Sequence, residues 1–326
     1  MINCRYLPIF HKSDFLWNKF QFCQLCTYLT NSISISAFFN SISDCDETFN
    51  YWENMHYFIY GKGMQTWEYE PTYALRSYAY ILLHIVPAWF TAQILNPNRM
   101  YIFYYCVRFI LAGICSACET YFYIGVTKEI GANVGKMTFI CLLFSAGMFV
   151  SSTAFLPSTT SMYLCMLSHG AWWVKTCQIW IFFPIQKWKL CWILTKVLCF
   201  RFQQEYALAI FFTAMSTYLS WPFAAILGVP IAADILFRKQ KWAFFIKWSV
   251  ISTVTILIPQ ILIDSYYYGK TTFASFNIVK YNVLTGNYYF LQCENFMIFL
   301  SVRFYVKSNF ENLEVLKLPF LPFLRP

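Results

Sequence analysis

Apolar windows of roughly 20 residues, long enough to cross ~30 Å of hydrocarbon as helix, recur along the chain. Four are dominated by apolar side chains: Tyr101–Val126, Met137–Leu156, Tyr206–Leu236 and Phe244–Ile263. Ala74–Leu95, Thr160–Phe183 and Tyr288–Val306 follow the same pattern with more polar interruptions, and Lys189–Phe200 is too short to span. Phe20–Ile42 is marginal, because Gln21, Gln24, Asn31 and Asn40 break it. The pattern predicts an all-α polytopic membrane protein with about seven spans. Its divisions are an N-terminus with a marginal first span (1–43), an acidic and aromatic loop (44–73), transmembrane helices (74–167) and a Trp- and Cys-rich stretch (168–218). Further transmembrane helices with a loop (219–283) and a divergent tail (284–326) complete it.

One polar segment stands against this background. Residues 44–53 read DCDETFNYWE, with three carboxylates in the first four positions. A helix through this segment sets Asp46, Asn50, Glu53 and Tyr57 on one polar face, leaving Phe49, Trp52 and Phe58 for lipid or protein. Asp44 or Asp46 suits the N-cap, and Glu47 suits the positive helix end. Such a segment belongs at the membrane–water interface, where aromatic rings settle. Its acids either cap and solvate the helix or do chemistry, and pattern alone does not separate the two. The following loop, 61–78, carries Trp67, Glu68, Glu70 and Arg76. Arg76 either binds a lipid phosphate through its planar donors or snorkels to headgroups. His56 and His84 present the same choice between a phosphate donor and a structural histidine.

Composition agrees with the span pattern. Only 12% of the 326 residues are charged and 59% are hydrophobic, too few charges for a water-facing surface. The net charge of +9 is spread thinly and forms no basic stripe, which argues against nucleic acid as a partner. The densest basic cluster is Arg238-Lys239-Gln240-Lys241, which the positive-inside rule places in the cytoplasm. The next span then delivers Asp264–Lys270 to the opposite side. Counting backward puts 44–73 there too, provided Lys187–Arg201 does not cross. That stretch would then be basic on the wrong side. No Asn-x-Ser/Thr acceptor marks sidedness, and Met1–Gln24 lacks a cleavable signal pattern. Most of the 13 cysteines lie in apolar stretches, and Cys23-x-x-Cys26 and Cys115-x-x-Cys118 lack partners for a tetrahedral metal site.

Longer runs carry a family resemblance. DCDETFNYWE with HYFIYGKGMQTWEYEPTYALRSYAYILLH resembles the first lumenal loop of the endoplasmic-reticulum alpha-1,2-mannosyltransferases of asparagine-linked glycosylation. RFILAGICSACETYFY, SAGMFVSSTAFLPSTTSMY, WPFAAILGVPIAADIL and IDSYYYGKTTFASFNIVKYNV follow in the same order. The resemblance implies a C-type glycosyltransferase fold in the endoplasmic-reticulum membrane with the acidic loop lumenal. It further implies transfer of mannose from dolichyl-phosphate mannose to a dolichyl-diphosphate oligosaccharide in alpha-1,2 linkage, with inversion. The family's acidic motif maps onto Asp44, Asp46 and Glu47, with Asp46 expected as base and either neighbour orienting it. Glu53, His56, Trp67, Arg76 and Lys270 are the expected substrate contacts. No cofactor is implied, and a divalent metal is not required.

Two stretches depart from the family pattern. The segment between Ser168 and Tyr218 has no counterpart there, and the sequence after Val283 does not continue into the family's later loop and spans. These departures keep an inactive shortened form of the enzyme in view. A polytopic transporter or receptor is the competing class, with Arg108 and Glu119 inside one span as its candidate pathway residues.

Overall fold

The protein's computed structural model describes residues 27–42, 44–94, 100–173 and 205–284, and among these every regular element is helical. In chain order they are α1 (27–39), α2 (a π-helical turn at Glu47–Trp52 running on as Glu53–Tyr60), α3 (Tyr78–Ile94), α4 (Met100–Glu129) and α5 (Ala132–Phe144). There follow α6 (Ala146–Ser151), α7 (Pro157–Trp173), α8 (Glu205–Met215), α9 (Val229–Ala233), α10 (Trp242–Tyr268) and α11 (Ala274–Val279).

Among the described residues two helices are long and apolar enough to cross a bilayer, Tyr104–Glu129 within α4 and Trp242–Tyr268. Along α10, Ile246, Val250, Val254, Ile258 and Leu262 form a ridge at four-residue spacing, and all five are exposed. Water does not tolerate an apolar ridge of that length, whereas lipid does. Helix α7 is buried along most of its length and packs between α4 and α8. A Cβ at Gly125 of α4 would come within 3.2 Å of the Gly170 backbone of α7, so the absence of side chains there lets the two helices meet closely.

The ends of α10 define the two ends of the bundle, about 40 Å apart over its length. Arg238–Lys241 lie at one, the basic end, and Tyr268 at the other. The acidic segment sits at the Tyr268 end, because the Tyr268 hydroxyl donates to the Arg76 carbonyl at 2.6 Å.

The crossings differ from the apolar windows in three places. Helix α3 begins with Tyr78 against Tyr267 and Tyr268, and α4 begins with Tyr104 against Trp52 of α2. Both helices therefore start at the acidic end. The six steps from Ile94 to Met100 span at most ~22 Å, short of the ~30 Å hydrocarbon thickness, so the Ala74–Leu95 window is not one of the crossings. Met137–Leu156 is broken at Ser145, whose side chain caps α6 by accepting the Met148 N–H. Tyr206–Leu236 is two passes. Pro222 ends the first, leaving Trp221 extended, and the chain returns with Gly228 against Thr213 and Asp234 against Trp172.

The lost and gained crossings cancel, so 44–73 and Asp264–Lys270 do share one end. The flanks of the basic stretch lie at the other end: Trp172 bonds Asp234, and Lys241 sits over the Tyr206 ring at 5.9 Å. The premise that put Lys187–Arg201 on the acidic side therefore falls. That stretch, Lys189–Phe200, Tyr288–Val306 and Met1–Gln24 lie outside the described residues. So do Cys23 and Cys26, while Cys115 and Cys118 are buried as free thiols. Thr160–Phe183 is helical as far as Trp173, and Phe20–Ile42 is helical over 27–39.

Candidate functional site

Asp44 caps α2. Its Oδ1 accepts the Asp46 N–H at 2.9 Å and its carbonyl accepts the Thr48 N–H at 3.3 Å. Neighbouring helix positions point about 100° apart, so the three acids cannot share a face. Asp44 is exposed to solvent. The Asp46 side chain is 46% exposed. Glu47 is 4% exposed and turns inward, where Oε1 accepts the Trp52 indole N–H and the Phe155 backbone N–H, each at 2.9 Å. Glu47 thereby fastens α2 to the turn before α7.

Asp46 faces Arg76, whose side chain is only 14% exposed. The guanidinium donates to Asp46 Oδ2 at 3.3 Å, to the Tyr51 hydroxyl at 2.7 Å and, from Nε, to Glu68. It also lies over the Tyr51 ring, 5.5 Å from the centroid. Burial pushes the Tyr51 phenol up to about 12 against the opposing pull of Arg76, so it stays neutral. The same burial pushes the neighbouring Tyr69 phenol up. Asn50 closes the ring: its Nδ2 lies 3.2 Å from both Asp46 Oδ1 and Glu68 Oε2, and its Oδ1 accepts from Thr66. Arg76 therefore does not snorkel, because acceptors on α2 and in the loop hold it inside. Among the described residues three of its five N–H donors are committed.

Beside this ring lies a cavity of about 10 Å³, with room for one water at most. Tyr51, Arg76, Ser77, Ser220, Trp221 and Ser275 contribute to its wall. Among the described residues Ser220 Oγ is buried with no hydrogen-bond partner. The cavity joins the acidic segment to the turn between α8 and α9.

The other expected residues are less closely grouped. The Asp46–Asn50 half of the polar face forms, but Glu53 and Tyr57 do not join it, since the π-turn widens the register. Glu53 instead meets Gly63, whose φ of +150° favours glycine and whose Cβ would lie 3.0 Å from the Glu53 carbonyl oxygen. His56 directs Nδ1 at the Lys62 carbonyl, and His84 directs Nδ1 at the Tyr80 carbonyl at 2.9 Å. Both histidines are thus tied to nearby backbone. Trp67 is exposed and edge-on to Tyr73 at 5.2 Å. Lys270 is exposed at the acidic end, two residues past Tyr268.

Sequence reasoning named Glu68 in the loop without giving it a role, and passed over Tyr51, Ser77, Ser220, Ser275 and the inward side of α10. A signal was available for the last, because Gln260, Asp264 and Tyr268 recur at i, i+4 and i+8 of an otherwise apolar helix. The serines carry no such signal.

Comparison with known proteins bears on the same segments. The chain is 45% identical over 252 residues to "Alpha-1,2-mannosyltransferase Alg9" of Drosophila melanogaster, covering 77% of this chain and 36% of that protein. It is 44% identical over 250 residues to "Alpha-1,2-mannosyltransferase ALG9" of Homo sapiens, with 77% and 36% coverage. The Saccharomyces cerevisiae protein of that name is 28% identical over 276 residues, covering 81% of this chain and 43% of its own length. The chain thus spans 36% of the length of its fly and human relatives. No solved structure matches it. Residues 25–323 match the Alg9-like mannosyltransferase family over most of the chain, and the protein belongs to that family.

Proposed function

We propose that this site transfers mannose from dolichyl-phosphate mannose to a dolichyl-diphosphate oligosaccharide, in alpha-1,2 linkage, on the lumenal face of the endoplasmic-reticulum membrane. One observation carries the reading. A half-exposed carboxylate, Asp46, is set against the Arg76 guanidinium, at the end of the bundle opposite the basic Arg238–Lys241 cluster. The names of the relatives support alpha-1,2 mannosyl transfer, and the positive-inside assignment of that cluster supports the side.

The chemistry follows from the groups present. The donor sugar is beta-linked to phosphate and the product is alpha-linked, so a single displacement inverts the anomeric carbon. The acceptor hydroxyl oxygen bonds to that carbon while the bond to the phosphate oxygen breaks, and dolichyl phosphate departs with the electron pair. Asp46 takes the hydroxyl proton as general base, an effect of about 10²–10⁴-fold. Its oxygens each accept one hydrogen bond here and keep further lone pairs for the incoming hydroxyl. The remaining Arg76 donors stabilise the leaving phosphate, with Lys270 at the same end as a further cation. Asp44 orients α2 through its cap, and Glu47 serves the fold. Trp67, Glu53 and His56 remain the proposed sugar contacts of the loop.

The transporter reading draws no comparable support. Arg108 and Glu119 do not pair; Arg108 bonds Asn40, Tyr104 and Thr153, while Glu119 Oε1 faces Cys115 Sγ at 3.9 Å. The deciding experiment supplies microsomes with labelled dolichyl-phosphate mannose and lipid-linked oligosaccharide. The protein is tested both as this chain and extended to the length of its relatives. Label transferred into an alpha-1,2-mannosidase-sensitive product is expected from the extended protein. No transfer by either would remove the proposal.

A further inference from the structure

The run IDSYYYGK at Ile263–Lys270 supplies more to the site than its terminal lysine. Helix α10 is apolar on its lipid side, yet Gln260, Asp264 and Tyr268, one turn apart, are buried on the other side at 2%, 0% and 5% exposure. All three reach the same neighbourhood. The Tyr268 hydroxyl donates to the Arg76 carbonyl at 2.6 Å. Asp264 Oδ1 accepts from the Ser77 hydroxyl at 3.0 Å and from the Ala79 N–H at 3.2 Å. Gln260 Nε2 donates to Ser275 at 2.9 Å and approaches Ser77 at 3.5 Å.

A buried hydrogen-bonding side chain on an apolar helix is costly to desolvate and persists where it finds partners. Capping α3 does not by itself call for a carboxylate, since Ser77 occupies the position before the helix and serine is a good cap. Ser77 instead turns its hydroxyl to Asp264. What the three α10 side chains share is the turn Arg76–Ala79, and the functional side chain on that turn is the guanidinium facing Asp46. Tyr267 stacks on Tyr78 at 4.9 Å and reinforces the same seam.

We infer that Gln260, Asp264 and Tyr268 form a positioning stripe that sets Arg76 against the donor's phosphate, with Tyr268 acting directly on the Arg76 backbone. The inference rests on the reading that Arg76 holds that phosphate. It makes the α10 end a part of the donor site, although its sequence is separated from the acidic segment by some of the longest-range hydrogen bonds in the molecule.

The test is a double-mutant cycle in the protein extended to the length of its relatives, assayed in microsomes with labelled dolichyl-phosphate mannose. Tyr268→Phe removes one hydroxyl and nothing else. It is expected to lower kcat/KM for the donor by about five-fold, the effect of one hydrogen bond, with the acceptor KM unchanged. In the Arg76→Ala background the same substitution should change transfer by less than about two-fold, because no guanidinium remains to be placed. Asp264→Asn keeps the accepting oxygen and should stay within about two-fold of the parent, whereas Asp264→Leu should behave as Tyr268→Phe does. Equal losses in both backgrounds, a loss carried by the acceptor KM, or an undiminished Tyr268→Phe enzyme would each overturn the inference while leaving the site reading intact. An unsubstituted protein that transfers no mannose would overturn the site reading and this inference with it.

Discussion

Among the described residues two arginines are largely withdrawn from solvent, and they differ in what meets them. Arg108 is 2% exposed and is met by neutral oxygens: the Asn40 carbonyl at 2.8 Å, Thr153 Oγ1 at 2.6 Å and the Tyr104 hydroxyl. Its guanidinium also lies 5.3 Å from the Tyr104 ring centroid. These contacts join the end of α1, the start of α4 and the turn before α7, and among the described residues they commit three of its five N–H donors, with Nε buried and unpartnered. Arg76 is met by the carboxylates of Asp46 and Glu68 and contributes to the wall of a cavity. A guanidinium surrounded by neutral acceptors is a fastening. One that contacts a half-exposed carboxylate beside a cavity is the one proposed for chemistry.

Substitutions can break this contrast, and the largest effect is expected on the Asp46 side. Asp46→Asn removes the base while keeping the contact with Asn50, so transfer should fall by about 10²–10⁴-fold with expression intact. Transfer retained in labelled-donor assays would move the base to Asp44. Arg76→Lys keeps the charge but loses the planar fork that meets Glu68, Tyr51 and Asp46 together. Donor kcat/KM should fall by about 10²-fold, and a change confined to the acceptor KM would contradict the phosphate assignment.

Arg108→Met should act in the other direction. It strands the Asn40 carbonyl and Thr153, costing about 1–3 kcal/mol of stability, read as a lower melting temperature in detergent. Transfer per folded molecule should stay within about two-fold, and a selective loss of transfer would erase the distinction between the two arginines. Asp44→Asn, the smallest change, keeps a good N-cap and should shift stability by only a few tenths of a kcal/mol. A loss of transfer comparable to that of Asp46→Asn would show that Asp44 takes part in the chemistry.

The membrane character was legible because it depends on composition and window length alone. α4 and α10 match the apolar windows within a few residues. The pattern failed where a single residue interrupts a uniform apolar stretch. Ser145 caps a new helix and Pro222 reverses the chain, yet neither alters hydropathy enough to divide a window of ~20 residues. Helix α3 failed for the converse reason: it is apolar enough to span but starts at the same end as α4. The acidic segment was visible by contrast with its surroundings. The separate fates of its acids were not, since they depend on Trp52, Phe155 and Arg76, which lie 5, 108 and 30 residues away from their partners.

The sequence by itself determined an all-helical membrane protein, one concentration of carboxylates and aromatic rings, and the family to which the chain belongs. Those properties reside in local composition, in motifs a few residues long and in the order of those motifs. Only the tertiary structure decided that Glu47 serves the fold, that Asp46 faces Arg76, and that α10 reaches across to hold the Arg76 turn. Hydrogen bonds act over about 3 Å, and which side chains come that close is settled by how the helices pack.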